Sequence, residues 1–457
     1  MSQSRKYWID DFQPDDATFW ERTGKRIAWR NLVWSIFAEN LGFSVWLMWS
    51  VVAARLPLAG FKYTTEELFQ LVAIPGLVGA ILRFPYTFAV PKFGGRNWTI
   101  VSALLLLVPT SLLVYLVQRP DTPFWLMGVA AATAGFGGGN FSSSMANISF
   151  FFPENEKGFA LGLNAAGGNL GVSMVQLFVP LVIGFALLPG AAESGIHLEN
   201  AALIWMPFVV LAAIGAARYM DNLTAARSNF RDQVIVAQRT QTWIMSTLYI
   251  GTFGSFVGFS AALPLLLKTE FPQVTGNLAF LGALVGSVSR PMGGKLADRL
   301  GGAKVTLLCF GAMALASMGV HWALAAHSFG VFLAMFLLLF VITGIGNGST
   351  FRMIPAIFRA LHLRGVRASD ASARSEALAT ARRESAAAIG FVAAIGALGG
   401  YFIPRAFSVS LKTSGSVSMA IVGFELFYVA CGVITWFAYL RRSFLTELLP
   451  SLAEADA

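Results

Sequence analysis

Residues 79–95 read Gly79-Ala-Ile-Leu-Arg83-Phe-Pro-Tyr-Thr-Phe-Ala-Val-Pro-Lys-Phe-Gly94-Gly95, and residues 286–302 read Gly286-Ser-Val-Ser-Arg290-Pro-Met-Gly-Gly-Lys-Leu-Ala-Asp-Arg-Leu-Gly301-Gly302. At a spacing of 207 the two stretches match at the first glycine, at the arginine and at the closing Gly-Gly pair. A second match, Gly135-x-Gly137-x-Gly139 with Gly344-x-Gly346-x-Gly348, lies at a spacing of 209. Two matches at nearly equal offset point to an internal duplication rather than chance composition. Further along the offset grows, and the extra length falls in the Arg-rich stretch 359–384, read here as a loop.

Around this repeat the chain runs to 457 residues, 56% hydrophobic and only 12% charged. Soluble domains are about 25% charged, so this composition belongs in a membrane. The net charge of +9 raises the question of nucleic acid. Those charges sit in short clusters between long apolar runs rather than along one face, which excludes that partner. Cys309 and Cys431 both lie in apolar stretches and rule out a disulfide framework. With no metal-ligand cluster, nucleophile–base pair or cofactor loop in the sequence, an enzyme is disfavoured, and neither metal nor cofactor is expected. The first 30 residues mix Asp10, Asp11, Asp15, Asp16 and Glu21 with basic residues and hold no apolar run before a cleavage site, so no cleavable signal is expected. Asp15-Asp16 caps a short helix whose Phe19, Trp20 and Ile27 touch the membrane surface, or the tail is simply solvated.

A hydrocarbon core about 30 Å thick needs roughly 20 apolar helical residues per crossing. Twelve runs qualify: 31–54, 68–90, 98–118, 124–152, 158–188, 201–219, 242–267, 277–297, 304–325, 330–358, 385–404 and 416–440. The expected fold is therefore an all-α polytopic membrane protein of twelve transmembrane helices in two six-helix halves, 31–219 and 242–440. A tail at 1–30, a linker at 220–241 and a tail at 441–457 complete the chain. With both termini cytoplasmic, 24 of the 33 Lys and Arg face that side and six the other. That bias sets the orientation by the positive-inside rule.

The remaining three, Arg83, Arg290 and Arg352, lie inside spans. Arg83 is nine residues before Lys92 and Arg290 eight before Asp298, so about 13 and 12 Å deep at 1.5 Å per residue. A guanidinium at that depth costs at least a few kcal/mol and must meet a counter-charge, carbonyls or a water-filled cavity. Embedded acids are few: Glu39, Glu425 and, at the mouth of the eleventh span, Glu384. One embedded arginine fits a structural ion pair; two at duplicated positions favour a shared mobile anion. Arginine suits a planar oxyanion because its fork donates two parallel hydrogen bonds and stays charged at any physiological pH. Three embedded basic residues limit that anion to a small monovalent one. Two six-helix halves with a site between them at mid-depth is a transporter plan, although small-xxx-small spacing also serves plain helix packing.

Two fixed positive charges leave a net charge of +1 when an anion is bound and +2 when it is absent, which favours exchange of one anion for another. Proton-coupled uptake is the alternative and needs a titratable group on the path, Glu39 first and Glu425 second. A passive anion channel and a porter of another small organic anion remain open; a sensor would need an appended signalling domain. His321 and His327 flank an external loop and are read as inert.

Gly294-x-x-x-Asp298-Arg299-x-Gly301-Gly302 resembles the cytoplasmic loop motif of the major facilitator superfamily, and Phe93-Gly94-Gly95-Arg96 keeps only its end. Within that superfamily the chain is similar to the NarK-type nitrate/nitrite porters. The resemblance rests on Gly135-Phe-Gly-Gly-Gly-Asn140-Phe-Ser-Ser-Ser-Met-Ala-Asn147-Ile-Ser-Phe-Phe-Phe-Pro153 and its continuation from Lys157 through Asn164 and Asn169 to Gly171. The second-half run is Gly344-Ile-Gly-Asn347-Gly-Ser-Thr-Phe-Arg352-Met-Ile-Pro355, and Pro14-Asp-Asp-x-x-Phe19-Trp20 precedes the first span.

This resemblance implies nitrate/nitrite antiport by alternating access in a bacterial inner membrane, by a monomer, with nitrate, nitrite and the lipid bilayer as its partners. It implies an anion held between Arg83 and Arg290, sandwiched by Phe141 and Phe253, with Tyr249, Asn169 and Asn164 as polar contacts. Lys295, Asp298 and Arg299 become a latch with Gly294, Gly301 and Gly302, and Arg352 a gate or interfacial anchor.

Overall fold

A computed structural model describes residues 7–187, 195–226, 235–274, 278–367, 370–441 and 452. Part of the expected linker, 227–234, and most of the tail 441–457 lie outside the described residues. The chain is almost entirely helical. Its spans are Lys25–Ala53, Thr65–Phe93, Gly95–Leu105 with Leu107–Leu116, Phe124–Ser149, Glu154–Val182 and Asn200–Leu203 with Met206–Tyr219. The second six are Thr240–Tyr249 continued by Ser255–Glu270, Ala279–Leu300, Gly302–Ala325, Phe329–Leu363, Ala371–Gly396 with Gly399–Ser414, and Ser418–Thr435. Ten of these crossings have the length and apolar character of a membrane span. The other two, the fourth and the eighth, carry the Gly/Ser/Asn-rich and the arginine motifs that dilute their apolar content.

Local chemistry sets the ends of these helices. Thr64 and Glu67 form a reciprocal cap: the Thr64 hydroxyl accepts from the Glu67 N–H at 3.2 Å, and the Thr64 N–H donates to the Glu67 carboxylate at 2.8 Å. The repeated glycine pairs reverse the chain between the second and third spans and between the eighth and ninth. Gly94 has φ +86° and Gly301 φ +89°, a conformation only glycine adopts without strain. One expectation is corrected: the Arg-rich stretch 359–384 is not a loop. The tenth span continues to Leu363, and the eleventh starts at Ala371, where Asp370 accepts from the Ala373 N–H at 2.9 Å. Its alanine-rich start is strongly helix-forming and extends the helix beyond the apolar run.

The helices pack as two compact units, and these do not follow the repeat boundary. One unit holds residues 1–228, 258–284 and 400–412; the other holds 229–257, 285–399 and 413–457. In the first unit, segments of the second repeat pack on the first, at the ends away from the termini. Gln176 donates to the Ser260 carbonyl at 2.6 Å, Lys268 to the Ala54 carbonyl at 2.6 Å and Ser173 to the Phe280 carbonyl at 3.1 Å. Phe69 meets Phe407 with ring centres 5.9 Å apart.

The N-terminal tail packs on the protein. Trp8–Ile9 pairs in parallel with Asn222–Leu223, just after the sixth span. The Asp16 side chain caps the turn Ala17–Phe19. Trp20 is not at the membrane surface: it is buried edge-on to Phe152, 5.7 Å between ring centres, while Phe12 meets Phe151 at 5.5 Å. The aromatic triplet Phe150-Phe151-Phe152 ending the fourth span gives the tail's own aromatics a better partner than lipid headgroups.

Gly94→Ala combines left-handed strain with a Cβ that collides with the Asn222 side chain, so we expect a loss of about 1–3 kcal/mol. Gly423→Ala, with no neighbouring atom within 4 Å, should be neutral or stabilising by up to about 1 kcal/mol. Melting temperatures of the two purified variants in detergent check the contrast.

Candidate functional site

In the first unit the site is built by glycines. A Cβ on Gly79 would lie 2.5 Å from the Trp46 indole nitrogen and 3.2 Å from the Gly138 Cα; one on Gly135 would lie 2.6 Å from Val78. Their absence lets the second and fourth spans approach until the Arg83 Nε donates to the Gly138 carbonyl at 3.0 Å. Arg83 is fully buried. Its guanidinium carbon lies 4.6 Å from the centre of the Phe141 ring and 5.3 Å from that of Trp46. Trp46 is itself fixed by donating to the Pro75 carbonyl at 2.7 Å.

The second unit repeats the arrangement. Arg290, only 4% exposed, lies 5.9 Å from the Phe253 ring and 5.6 Å from the Phe351 ring, and donates to the Tyr249 hydroxyl at 3.3 Å. Tyr249 and Phe253 stack with centres 5.2 Å apart. A π-helical turn, Ile250–Gly254, interrupts the seventh span where Phe253 sits; such bulges re-aim side chains and recur at functional sites. Each arginine–aromatic pair held by desolvated cation–π attraction is worth about 2 kcal/mol, which offsets part of the cost of burying the charge.

Trp46 and Phe351 were not singled out from the sequence, although a signal for them was there. Trp46 and Phe253 are 207 residues apart, the spacing of Arg83 and Arg290, and Phe141 and Phe351 are 210 apart. The duplication thus covers a cage of one arginine between two aromatics, not the arginine alone.

The remaining expected residues divide. Asn169 is buried, and neither amide atom has a hydrogen-bond partner. Such an unmade pair costs about 1–3 kcal/mol, which marks the amide as available to a ligand. Asn164 is instead turned to Glu39, donating to its carboxylate at 2.6 Å and to the Ser144 hydroxyl at 2.8 Å. Arg352 pairs with Asp298 at 2.6 Å, both half-exposed, tying the tenth span to the end of the eighth. Lys295 and Arg299 are exposed beside that pair. A Cβ on Gly302 would lie 2.5 Å from Met353, whereas Gly294 faces open space. Glu425 lies 3.7 Å from His321, a histidine expected to be inert.

Glu384 is clamped by Arg239, through bonds of 3.0 and 2.8 Å, and by His362 at 3.0 Å. Among the described residues no group of three or more His, Cys, Asp or Glu side chains could hold a metal ion.

Twelve spans in two repeats, each with its own buried arginine, follow the plan of a secondary transporter, and the comparisons agree. Residues 34–369 match the Major Facilitator Superfamily. The inward-open xylose transporter XylE from Escherichia coli superposes with a TM-score of 0.65 at 13% identity, over 93% of this chain and 98% of that one, a likeness of fold. The nitrate/nitrite transporter NarU of Escherichia coli K12 is 45% identical over 97% of this chain and 98% of its own. The probable nitrate/nitrite antiporter NarK2 of Thermus thermophilus is 36% identical over the same shares, 97% and 98%. The chain belongs to the NarK-type nitrate/nitrite porter family of the major facilitator superfamily.

Proposed function

We propose that the protein exchanges nitrate for nitrite across a bacterial inner membrane by alternating access, with both termini cytoplasmic and the monomer as the working unit. Arg83 in the first unit and Arg290 in the second each offer a cationic ligand to an anion. The observation that carries the reading is the duplicated cage: each repeat presents one buried guanidinium between two aromatic rings, at matching positions. Such a cage suits a small, flat, weakly hydrated monovalent anion, because the guanidinium supplies in-plane donors and the ring faces accept the anion's flat sides at little desolvation cost. Asn169 adds a donor, and the Tyr249 hydroxyl beside Arg290 adds another. The names of the relatives, nitrate/nitrite transporters and antiporters, supply the substrate class. No step requires a cofactor or a bond-making reaction, so transport rather than catalysis is the activity. The Asp298–Arg352 pair sits where a latch between conformations would be made and broken.

The test is counterflow into liposomes at equal pH on both sides. Labelled nitrate should concentrate transiently above equilibrium in nitrite-loaded vesicles and not in chloride-loaded ones. Simple equilibration without overshoot, as a channel gives, would contradict exchange. Arg83→Lys and Arg290→Lys each remove a charge-assisted fork bond worth about 1.5–3 kcal/mol, so anion affinity should fall about 10- to 150-fold. Saturation curves for the exchange measure that loss.

A further inference from the structure

We propose that Thr252 and Thr350 are positioning residues of the anion site: the hydrogen bond between their hydroxyls sets the spacing of the two aromatic walls at Arg290 and so selects a flat anion. The inference rests on the nitrate/nitrite reading above and assigns part of its selectivity to two uncharged side chains.

The walls of the two cages cannot be held in the same way. In the first unit Trp46 has an indole N–H and anchors itself on the Pro75 carbonyl at 2.7 Å. Phe253, its counterpart 207 residues on, has no polar atom. It stands on the π-helical turn Ile250–Gly254, a conformation that a helix rarely adopts. The residue before it, Thr252, is bonded at 3.0 Å to Thr350, the residue before the other wall, Phe351. Both threonines are fully buried. At spacings of 207 and 210 their counterparts are Val45 and Asn140, and a valine has no hydroxyl with which to make this bridge.

Counting protons gives the bridge a direction. Each hydroxyl has one proton to donate. Thr350 lies 2.8 Å from the Gly346 carbonyl and donates there, so across the pair Thr252 is the donor and Thr350 the acceptor. The alternative for Thr252 is the Leu248 carbonyl of its own span, at 3.3 Å. Without the Thr350 hydroxyl the Thr252 proton falls back on Leu248. Without the Thr252 hydroxyl the bridge has no donor. Either loss unties the π-turn from the tenth span.

The repeated glycines of the tenth span bring these partners together. A Cβ on Gly346 would lie 2.9 Å from the Thr252 Cγ2, so glycine there lets the tenth span close on the seventh. On the side of the eighth span, a Cβ on Gly344 would lie 2.3 Å from the Gly286 carbonyl oxygen, and one on Gly348 2.1 Å from that of Arg290. The tenth span is thus wedged between the helix that bears Arg290 and the helix that bears Phe253. Four consecutive residues on it then face four different partners. Ser349 donates to the Gly302 carbonyl at 2.8 Å, and Thr350 accepts from the π-turn. Phe351 faces the Arg290 guanidinium, and Arg352 donates to Asp298. Moving Thr350 therefore moves Phe351 with it.

The consequence concerns shape. A guanidinium offers the same pair of N–H groups to nitrate and to a pyramidal oxyanion such as chlorate. The two differ out of the oxygen plane, where nitrate is flat and chlorate is not. Discrimination between them falls to the spacing of the walls, which the threonine bridge sets.

The experiment uses the purified protein in nitrite-loaded liposomes. Initial rates of labelled nitrate uptake give KM and kcat, and competition by unlabelled chlorate gives its inhibition constant. Thr252→Val and Thr350→Val keep the side-chain shape and remove the hydroxyl. Each should raise KM for nitrate about three- to tenfold, the range for one lost hydrogen bond, and leave kcat within about twofold. The ratio of the chlorate constant to the nitrate KM should fall by about the same factor. The double variant should lose no more than either single one, because the two side chains share one bond. Thr252→Ser and Thr350→Ser should keep the wild-type ratio. Thr252→Ala and Thr350→Ala carry the same expectation as the valine variants and replace any that does not fold. An unchanged ratio in the single variants, additive losses in the double variant, or a fall in kcat alone overturns the bridge while wild-type counterflow stands. Absence of counterflow in the wild type overturns the transport reading itself.

Discussion

The rest of the structure is arranged around one constraint: a guanidinium placed at bilayer depth has to be accommodated by the protein. Arg83 and Arg290 meet that constraint in the same way, each lying over two aromatic faces and donating to a polar partner in its own unit. The cages in turn require close helix approach, and the approach requires glycine. Gly79, Gly135 and Gly138 are therefore packing residues whose effect on function passes through the position of Arg83. The packing and functional readings of the glycine motif are one reading at two levels.

Much of this was legible in the sequence because the membrane imposes a strong pattern. Twelve apolar runs, a charged connection and a repeated Gly-x-x-x-Arg element were enough to set the helix count and the duplicated plan. Less legible were features decided by packing between distant segments. Trp20 looked like an interfacial anchor because its partner, Phe152, is 132 residues away. The stretch 359–384 looked like a loop because its charges masked an alanine-rich helix capped by Asp370. Trp46 and Phe351 escaped notice because aromatic residues make up 13% of the chain and only their offset distinguishes them. Asn164 was legible as part of a motif but not as a partner of Glu39, since no sequence spacing reveals which face an amide turns to.

The carboxylates show how surroundings divide one residue type into different roles. Glu384 is gripped by a permanent cation and serves the fold at neutral pH. Glu425 meets a histidine between the twelfth and ninth spans. Glu39 is held by donors that also accept, Ser144 on the helix that presents Phe141 and Asn164 on the fifth span. Three acids that looked alike as embedded residues thus differ in what holds them: an arginine, a histidine, and a hydroxyl with an amide.

The central claim is that the buried arginines exist to hold the anion. An experimentally determined map of the protein in nitrate-containing buffer tests it most directly. The account predicts a flat, trigonal density beside the Arg83 guanidinium at charge-assisted hydrogen-bond distance, about 2.7–2.9 Å, with Phe141 against its face. A map with nitrate bound elsewhere, and the Arg83 guanidinium neutralised by a protein carboxylate, would contradict it.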